Sequence, residues 1–337
     1  MKSIYDLEII DLEEYFLSIN EKKYKAKQVY EWLYKKRVSS FKEMTNLKKS
    51  LIEQLEKDFS FDSLTILKTE KGKRVNKYLF LLPDQEKIEA VLMFHDYGNS
   101  LCISTEVGCN MGCAFCESGR LKKVRSLKTF EMVLQVLLVE ASIKERISHV
   151  VLMGIGEPFD NYDSVLRFIR IINSNQGIDI GARHITVSTC GIVPKIEQLS
   201  KENIQINLAI SLHAPTNELR DKLMPINKVY PIEKLFKALK KYYDLTNRRI
   251  TFEYIMLDNV NDSLEDAQAL ADLLRGINCY VNLIPYNETS HLQFKKSSHL
   301  KIMAFYDILK KNKINVTIRK EFGSEVSAAC GQLRSTN

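Results

Sequence analysis

The sequence predicts an α/β fold, a partial (β/α)6 barrel of the TIM-like kind, with a small N-terminal helical domain and an antiparallel β extension. Three observations carry this. Residues 1–60 place apolar side chains at helical spacing. Residues 76–106 read as three short strands separated by turns. From residue 129 onward, helical and strand patterns alternate to the end of the chain.

In the first stretch, "YKAKQVYEWLYKKR" (24–37) and "LKKSLIEQLEKDF" (47–59) repeat apolar residues at i, i+3 and i+4. The intervening "SSFKEMTN" offers turn and capping residues. The texture changes near residue 62. "NKYLFLL", "KIEAVLMF" and "SLCISTE", separated by "PDQ" and "DYGN", read as a meander. After it, "TFEMVLQVLLVEA" leads to "HVVLMGIGE", and the same helix-then-strand step recurs down to "INVTIRK". Counting the strand before residue 103, about six β/α repeats result, fewer than the eight of a closed barrel. Special residues gather at the strand ends: Gly154, Gly156, Glu157, Ser188, Ser211, His213 and Asn287. In a barrel those ends form the mouth where active sites are built. The expected domains are 1–60 (helical, accessory), 61–98 (β-hairpin extension), 99–320 (barrel) and 321–337 (tail).

The composition is that of a globular protein, with 45% hydrophobic and 27% charged residues in a chain of 337. No apolar run approaches the ~20 residues of a membrane span, and the acidic N-terminus is unlike a signal peptide. The expected compartment is the cytoplasm, where thiols stay reduced unless they serve metal or redox chemistry. The net charge of +7 is unevenly spread. Basic residues concentrate in 21–49, including Lys22, Lys23, Lys25 and Lys27, and in "GRLKKVR" with Arg120, Lys122, Lys123 and Arg125. Charge runs are usually solvated faces, but the second one adjoins a reactive loop, where it suits a polyanionic substrate.

That loop is "GCNMGCAFCESG" (108–119). Three of the chain's seven cysteines, Cys109, Cys113 and Cys116, stand there as C-x3-C-x2-C. Three thiolates at this spacing can hold three irons of a [4Fe–4S] cluster and leave the fourth open to a ligand. Structural zinc prefers four ligands, commonly in C-x2-C pairs, and no second pair stands at finger-like spacing, although a distant fourth ligand stays open. Phe115 either shields the cluster or packs. Iron–sulfur fits better than zinc, and zinc better than no metal.

The loop, followed by "GIGEP" at a strand end, resembles the radical S-adenosylmethionine (SAM) superfamily. That resemblance implies a SAM molecule on the open iron and a 5′-deoxyadenosyl radical, with Gly156 and Glu157 contacting the cofactor's amino group. Two more segments, "SLCISTEVGC" with Cys102 and "FGSEVSAACGQL" with Cys330, narrow it. Alone, Cys102 reads as a small apolar strand residue. Together, and with "VVLMGIGEPFDNYDSVLRFIRI", "NLAISLHAPTNELRDKLMPIN" and "NLIPYN", the chain is similar over nearly its whole length to the dual-cysteine methyltransferases that act on an adenosine of 23S ribosomal RNA. The resemblance implies Cys330 as the methyl-carrying thiol, Cys102 as the resolving thiol that ends in a disulfide with it, and Glu89 of "KIEAVLM" as proton acceptor. Two SAM molecules are consumed per turnover. Ser188, Ser211, Leu212, His213 and Asn287 match positions lining the SAM pocket. A flavodoxin-type electron donor and a monomeric state are expected. Cys190 and Cys279 match no catalytic position and read as core thiols. Tyr24, Tyr30, Trp32 and Tyr34 could stack on bases, but their helical spacing favours the core.

Two groups share this chemistry. One methylates C2, with the adenosine beside the anticodon of transfer RNA as a further target. The other methylates C8 and confers antibiotic resistance. "GIGEPF", "GARHITVSTCGIVPK" and "EKKYKAKQVYEWLYKKRV" resemble the C2 group, while "LCIST" and "RKEFGSEVSAACGQL" are closer to the C8 group; C2 is the favoured reading. After Cys116 the chain departs from the family pattern, placing Glu117 and a basic run where a small residue and a Gly-rich turn are usual. Glu117 either tunes the cluster through its charge or points to water. The reading from another class, an iron–sulfur RNA-binding protein without catalysis, is disfavoured because Cys102, Cys330 and Glu89 are all present.

Overall fold

The computed structural model describes residues 1–289, 291–319 and Leu333. One ten-stranded sheet organises them, with strands in sequence order across it. Its strands are β1 (Thr65–Lys71), β2 (Val75–Leu81), β3 (Lys87–His95), β4 (Gly98–Cys102), β5 (Ile147–Leu152), β6 (Ile185–Thr189), β7 (Asn207–Ser211), β8 (Ile250–Met256), β9 (Cys279–Pro285) and β10 (Asn315–Ile318). Strands β1 to β4 are antiparallel to their neighbours; from β4 to β10 every pairing is parallel. The six β/α repeats thus end on a seventh parallel strand, and the sheet keeps two ends instead of closing. The meander and the barrel share this sheet.

Strand β1 escapes the sequence reading, and the reason is physical. "TILKTEK" is an edge strand, mostly exposed, whose charged residues hide the apolar alternation used to find the others. The N-terminal region consists of helices α1 (Ile9–Ser18), α2 (Tyr24–Tyr30) and α3 (Lys49–Asp58), with α2 passing into a wider π-helical turn over Glu31–Lys36. Tyr30 and Tyr34 are buried there in an edge-to-face pair, whereas Tyr24 is exposed. Helix α4 (Thr129–Ile143) is apolar on nearly all sides because it lies between this region and the barrel. Phe130 N–H donates to Asp6, and Arg37 pairs with Glu140, so the two parts share a continuous core. No helix among the described residues is long and apolar enough to cross a membrane.

Candidate active site

The cysteine loop hangs from the C-terminal end of β4 and is held shut at its base. Glu106–Val107 and Arg125–Ser126 pair as a two-stranded bracket around residues 108–124. Inside it, Cys109 N–H donates to Leu121 O at 3.0 Å, and Ala114 N–H to Leu223 O at 2.9 Å. The three cysteines, Phe115 and Ser118 form one wall of an open cavity of about 150 Å³. Its other walls are strand ends: Gly154, Gly156, Glu157, Ser188, Cys190, Ser211, His213, Glu253, Ile255 and Ile284 among them.

The glycines of "GIGEP" are required by close approach. A Cβ on Gly154 would stand 2.5 Å from Ile103 O, and one on Gly156, whose φ is +108°, 2.6 Å from the side chain of Glu106. The buried Glu157 carboxylate accepts from Phe159 N–H at 3.0 Å and from Cys190 N–H at 2.7 Å, and burial raises its pKa. Glu106 accepts from Glu157 N–H at 3.0 Å and pairs with Lys123 at 2.5 Å; burial pushes it up to about 7. His213 adopts φ +58°, and its Nδ1 accepts from Ile255 N–H at 3.0 Å. Burial takes its pKa down to about 3, so the ring is neutral with its proton on Nε2. Phe115 packs edge-on against this ring at 4.8 Å, and the Ser188 and Ser211 hydroxyls lie 3.3 Å apart.

The donor set fits a cluster. Three thiols line one wall, and burial pushes Cys109 up to about 12 and Cys113 well above its ordinary value. Each is disfavoured as a thiolate until a cation compensates it, as iron would. Among the described residues, no three such side chains converge as a single-ion site. A cuboidal cluster asks for something else, since each thiolate reaches a different iron.

These features have counterparts. Residues 103–274 match the family model of the radical SAM superfamily, and residues 2–60 that of the ribosomal RNA large subunit methyltransferase N-terminal domain. The chain is 55% identical to the probable dual-specificity RNA methyltransferase RlmN of Enterococcus faecalis, covering 99% of this chain and 96% of that one. It is 51% identical to the one so named in Spiroplasma citri, covering 100% and 98%. The crystal structure of a radical SAM methyltransferase from Sphaerobacter thermophilus superposes with a TM-score of 0.94 at 40% identity, covering 100% of both chains. The chain belongs to the RlmN family of radical SAM RNA methyltransferases. Radical SAM membership implies a [4Fe–4S] cluster and SAM.

Against this RlmN-family site, the expected residues divide. Gly156, Glu157, Ser188, Ser211, His213 and the three loop cysteines share the cavity. Leu212 is fully buried, its carbonyl accepting from Arg220 at 3.2 Å, and Asn287 is half-buried; neither lines the cavity. Cys102 is buried beside Val75, Val91, Met93 and Leu333, directly opposite Val91 in the β3–β4 register. Glu89, two residues from Val91, therefore faces the same side as Cys102. It is buried, with Lys77 at 3.4 Å, rather than a solvated strand residue. Cys330 lies outside the described residues, as does its expected disulfide with Cys102. Leu333 is described: its carbonyl accepts from Ser118 Oγ at 2.8 Å, tying that residue to the cysteine loop.

The basic knot is largely spent inside the protein. Lys123 pairs with Glu106 and with Asp160 at 2.7 Å, and Arg125 pairs with Asp84 and with both oxygens of Glu131. Lys25 is buried against Glu21. Lys22, Lys23, Lys27 and Lys122 stay exposed, and Arg120 is half-exposed beside Glu117. Glu117 does not point to water: it is buried, with Arg120 at 3.6 Å and His291 at 3.3 Å. Cys190 and Cys279 are buried, Cys190 at the cavity wall.

Sequence reasoning missed Arg220 and Glu253. Arg220 is fully buried and donates to the carbonyls of Cys190, Ser211 and Leu212 and to Asn227, fastening two strand ends together. Glu253 lies within the barrel, accepting from Asn282 at 2.8 Å. Arg220 sits in an ordinary-looking helix, "NELRDKL", and only its partners reveal it. Glu253 could have been found as an acid inside the apolar strand "ITFEYIM".

Proposed function

We propose that this chain methylates C2 of an adenosine in the peptidyl-transferase region of 23S ribosomal RNA, with transfer RNA as a second substrate. The observation that carries the reading is the meeting, at one barrel mouth, of the three-cysteine wall and the "GIGEP" cradle, with Leu333 packed beside Cys102 and bonded to Ser118 of the cysteine loop. The second substrate follows the dual specificity in the names of the relatives.

Cys109, Cys113 and Cys116 would hold a [4Fe–4S] cluster, which with SAM on its open iron supplies a 5′-deoxyadenosyl radical. Glu157 and the backbone around Gly156 would orient the cofactor's amino group, and Ser188, Ser211 and His213 the rest of it. His213, neutral, offers its Nε2 proton as a hydrogen-bond donor. Cys330 would carry the methyl group to the base, and Glu89 would take the proton lost from the base. The Cys102 thiolate would attack the Cys330 sulfur of the protein–RNA link, so that the Cys102–Cys330 disulfide forms as the sulfur–methylene bond breaks and the methylene carbon, keeping that electron pair, is protonated to the product's methyl group. Lys77 lies 3.4 Å from Glu89. An electron donor of the flavodoxin type and action as a monomer complete the reading.

The experiment is nucleoside mass spectrometry after anaerobic incubation of reconstituted enzyme, reductant and SAM with unmodified large-subunit RNA. 2-Methyladenosine is expected. 8-Methyladenosine would overturn the C2 assignment, and deoxyadenosine without either methylated base would overturn the RNA substrate.

A further inference from the structure

The barrel interior opens a second time, at the N-terminal ends of the parallel strands. There lies a wide, solvent-open cavity of about 740 Å³. Closed β/α barrels fill this region with layers of Val, Ile and Leu. Here the lining includes Thr186, Asn207, Thr251 and Asn282, one from each of β6 to β9. A wall of hydroxyl and amide groups left unfilled suits a polar occupant.

The charge at this opening is one-sided. Arg183, Arg248 and Arg249 line it, with Arg319 and the acid Glu253 deeper, on the wall it shares with the upper cavity. Glu253 is engaged inward, by Asn282 and by the charge of Arg319. Arg183, Arg248 and Arg249 make no ion pair among the described residues, unlike Lys123 and Arg125 at the other mouth. Arg248 is instead anchored by donation to Ile206 O at 2.9 Å, Arg183 reaches Gln205 at 3.4 Å, and Arg249 lies over the Tyr280 ring at 5.0 Å. Uncompensated guanidinium groups on a concave polar wall favour phosphate. Tyr97 adds a flat aromatic surface. It lines the same cavity, is 68% exposed, and is set by stacking on His95 at 4.6 Å and edge contact with His149 at 5.3 Å. Exposed aromatics beside arginines are how proteins take bases and phosphates together.

We propose that this lower opening binds a nucleotide, its phosphate on Arg183, Arg248 and Arg249 and its base against Tyr97. The nucleotide is either a free one or part of an RNA strand. The proposal does not rest on the reading of the upper mouth.

The test is calorimetric titration of the full chain at low salt with ADP and with a ten-nucleotide single-stranded RNA, each in the presence of saturating S-adenosylhomocysteine. Wild type should bind at least one of them. Arg183→Glu with Arg249→Glu should weaken that binding at least tenfold, and Tyr97→Ala about threefold or more. ADP binding as tightly as the oligomer identifies a free nucleotide. A tighter oligomer, whose salt dependence shrinks in the arginine variant by about two phosphate contacts, identifies RNA. No binding by wild type, unchanged affinity in both variants, or competition by S-adenosylhomocysteine would overturn the proposal. Because Tyr97 is exposed, its variant keeps the test decisive should the double reversal unfold.

Discussion

The two mouths of this barrel are built on the same strands, yet they use opposite chemistry. At the upper mouth the polar groups are sequestered: Glu157 accepts two backbone N–H groups, His213 is held neutral, and Lys123 is cancelled by Glu106 and Asp160. At the lower mouth three arginines stand without ion pairs among the described residues, on a polar wall. The difference teaches what each end can tolerate. A site for low-potential radical chemistry needs dry, fixed dipoles that do not reorganise. A site for an anion needs charge that solvent has not already spent.

The contrast can be broken most completely at the cysteine wall. Cys113→Ser should abolish the cluster's absorption near 400 nm after anaerobic reconstitution and reduce methyl transfer below detection, while the metal-free protein melts close to wild type. Persistence of the full chromophore would remove Cys113 from the ligand set.

Next in size is Arg220→Met. It removes a guanidinium that satisfies the carbonyls of Cys190, Ser211 and Leu212, leaving buried acceptors exposed to an apolar chain. A loss of roughly 3–5 kcal/mol is expected by chemical denaturation. A loss under about 1 kcal/mol would show that the strand ends hold themselves.

A pH profile sharpens the comparison further. The folded His213 pKa of about 3 lies below its ordinary value of 6.5, so above pH 6.5 both folded and unfolded states hold it neutral. As pH falls below 6.5 the unfolded chain gains a proton that the folded one refuses, and stability is lost. Between pH 6.5 and 5 this costs about 2 kcal/mol. His213→Gln, which can still accept from Ile255 N–H, should flatten that limb of the metal-free protein's stability curve. An unchanged limb would place the titration elsewhere.

The smallest effect concerns RNA. Lys122 is exposed, whereas Lys123 is consumed by two carboxylates. Lys122→Ala should weaken RNA binding about two- to threefold and lower the salt slope by about one contact, with stability unchanged within ~0.5 kcal/mol. Lys123→Ala should instead show first as a lower melting temperature.

How far the sequence reaches is clear residue by residue. The cysteine spacing and the helix–strand rhythm are local patterns, so the loop and the six repeats were legible from spacing and period, while the "GIGEP" cradle was legible through its family resemblance. Glu89 and Glu117 were not. On a strand and after a loop, a carboxylate reads as solvated, and only the packing of β2 against β3, or of Arg120 and His291 over the loop, buries it. The same holds for "GRLKKVR", whose charges looked available until Asp84, Glu106, Glu131 and Asp160, distant in sequence, came to meet them. The sequence by itself determined which atoms could do chemistry, because residue type and spacing are written in the chain. The tertiary structure decided which of those atoms are neutral, paired or open to a ligand, because desolvation and charge compensation depend on neighbours that only folding supplies.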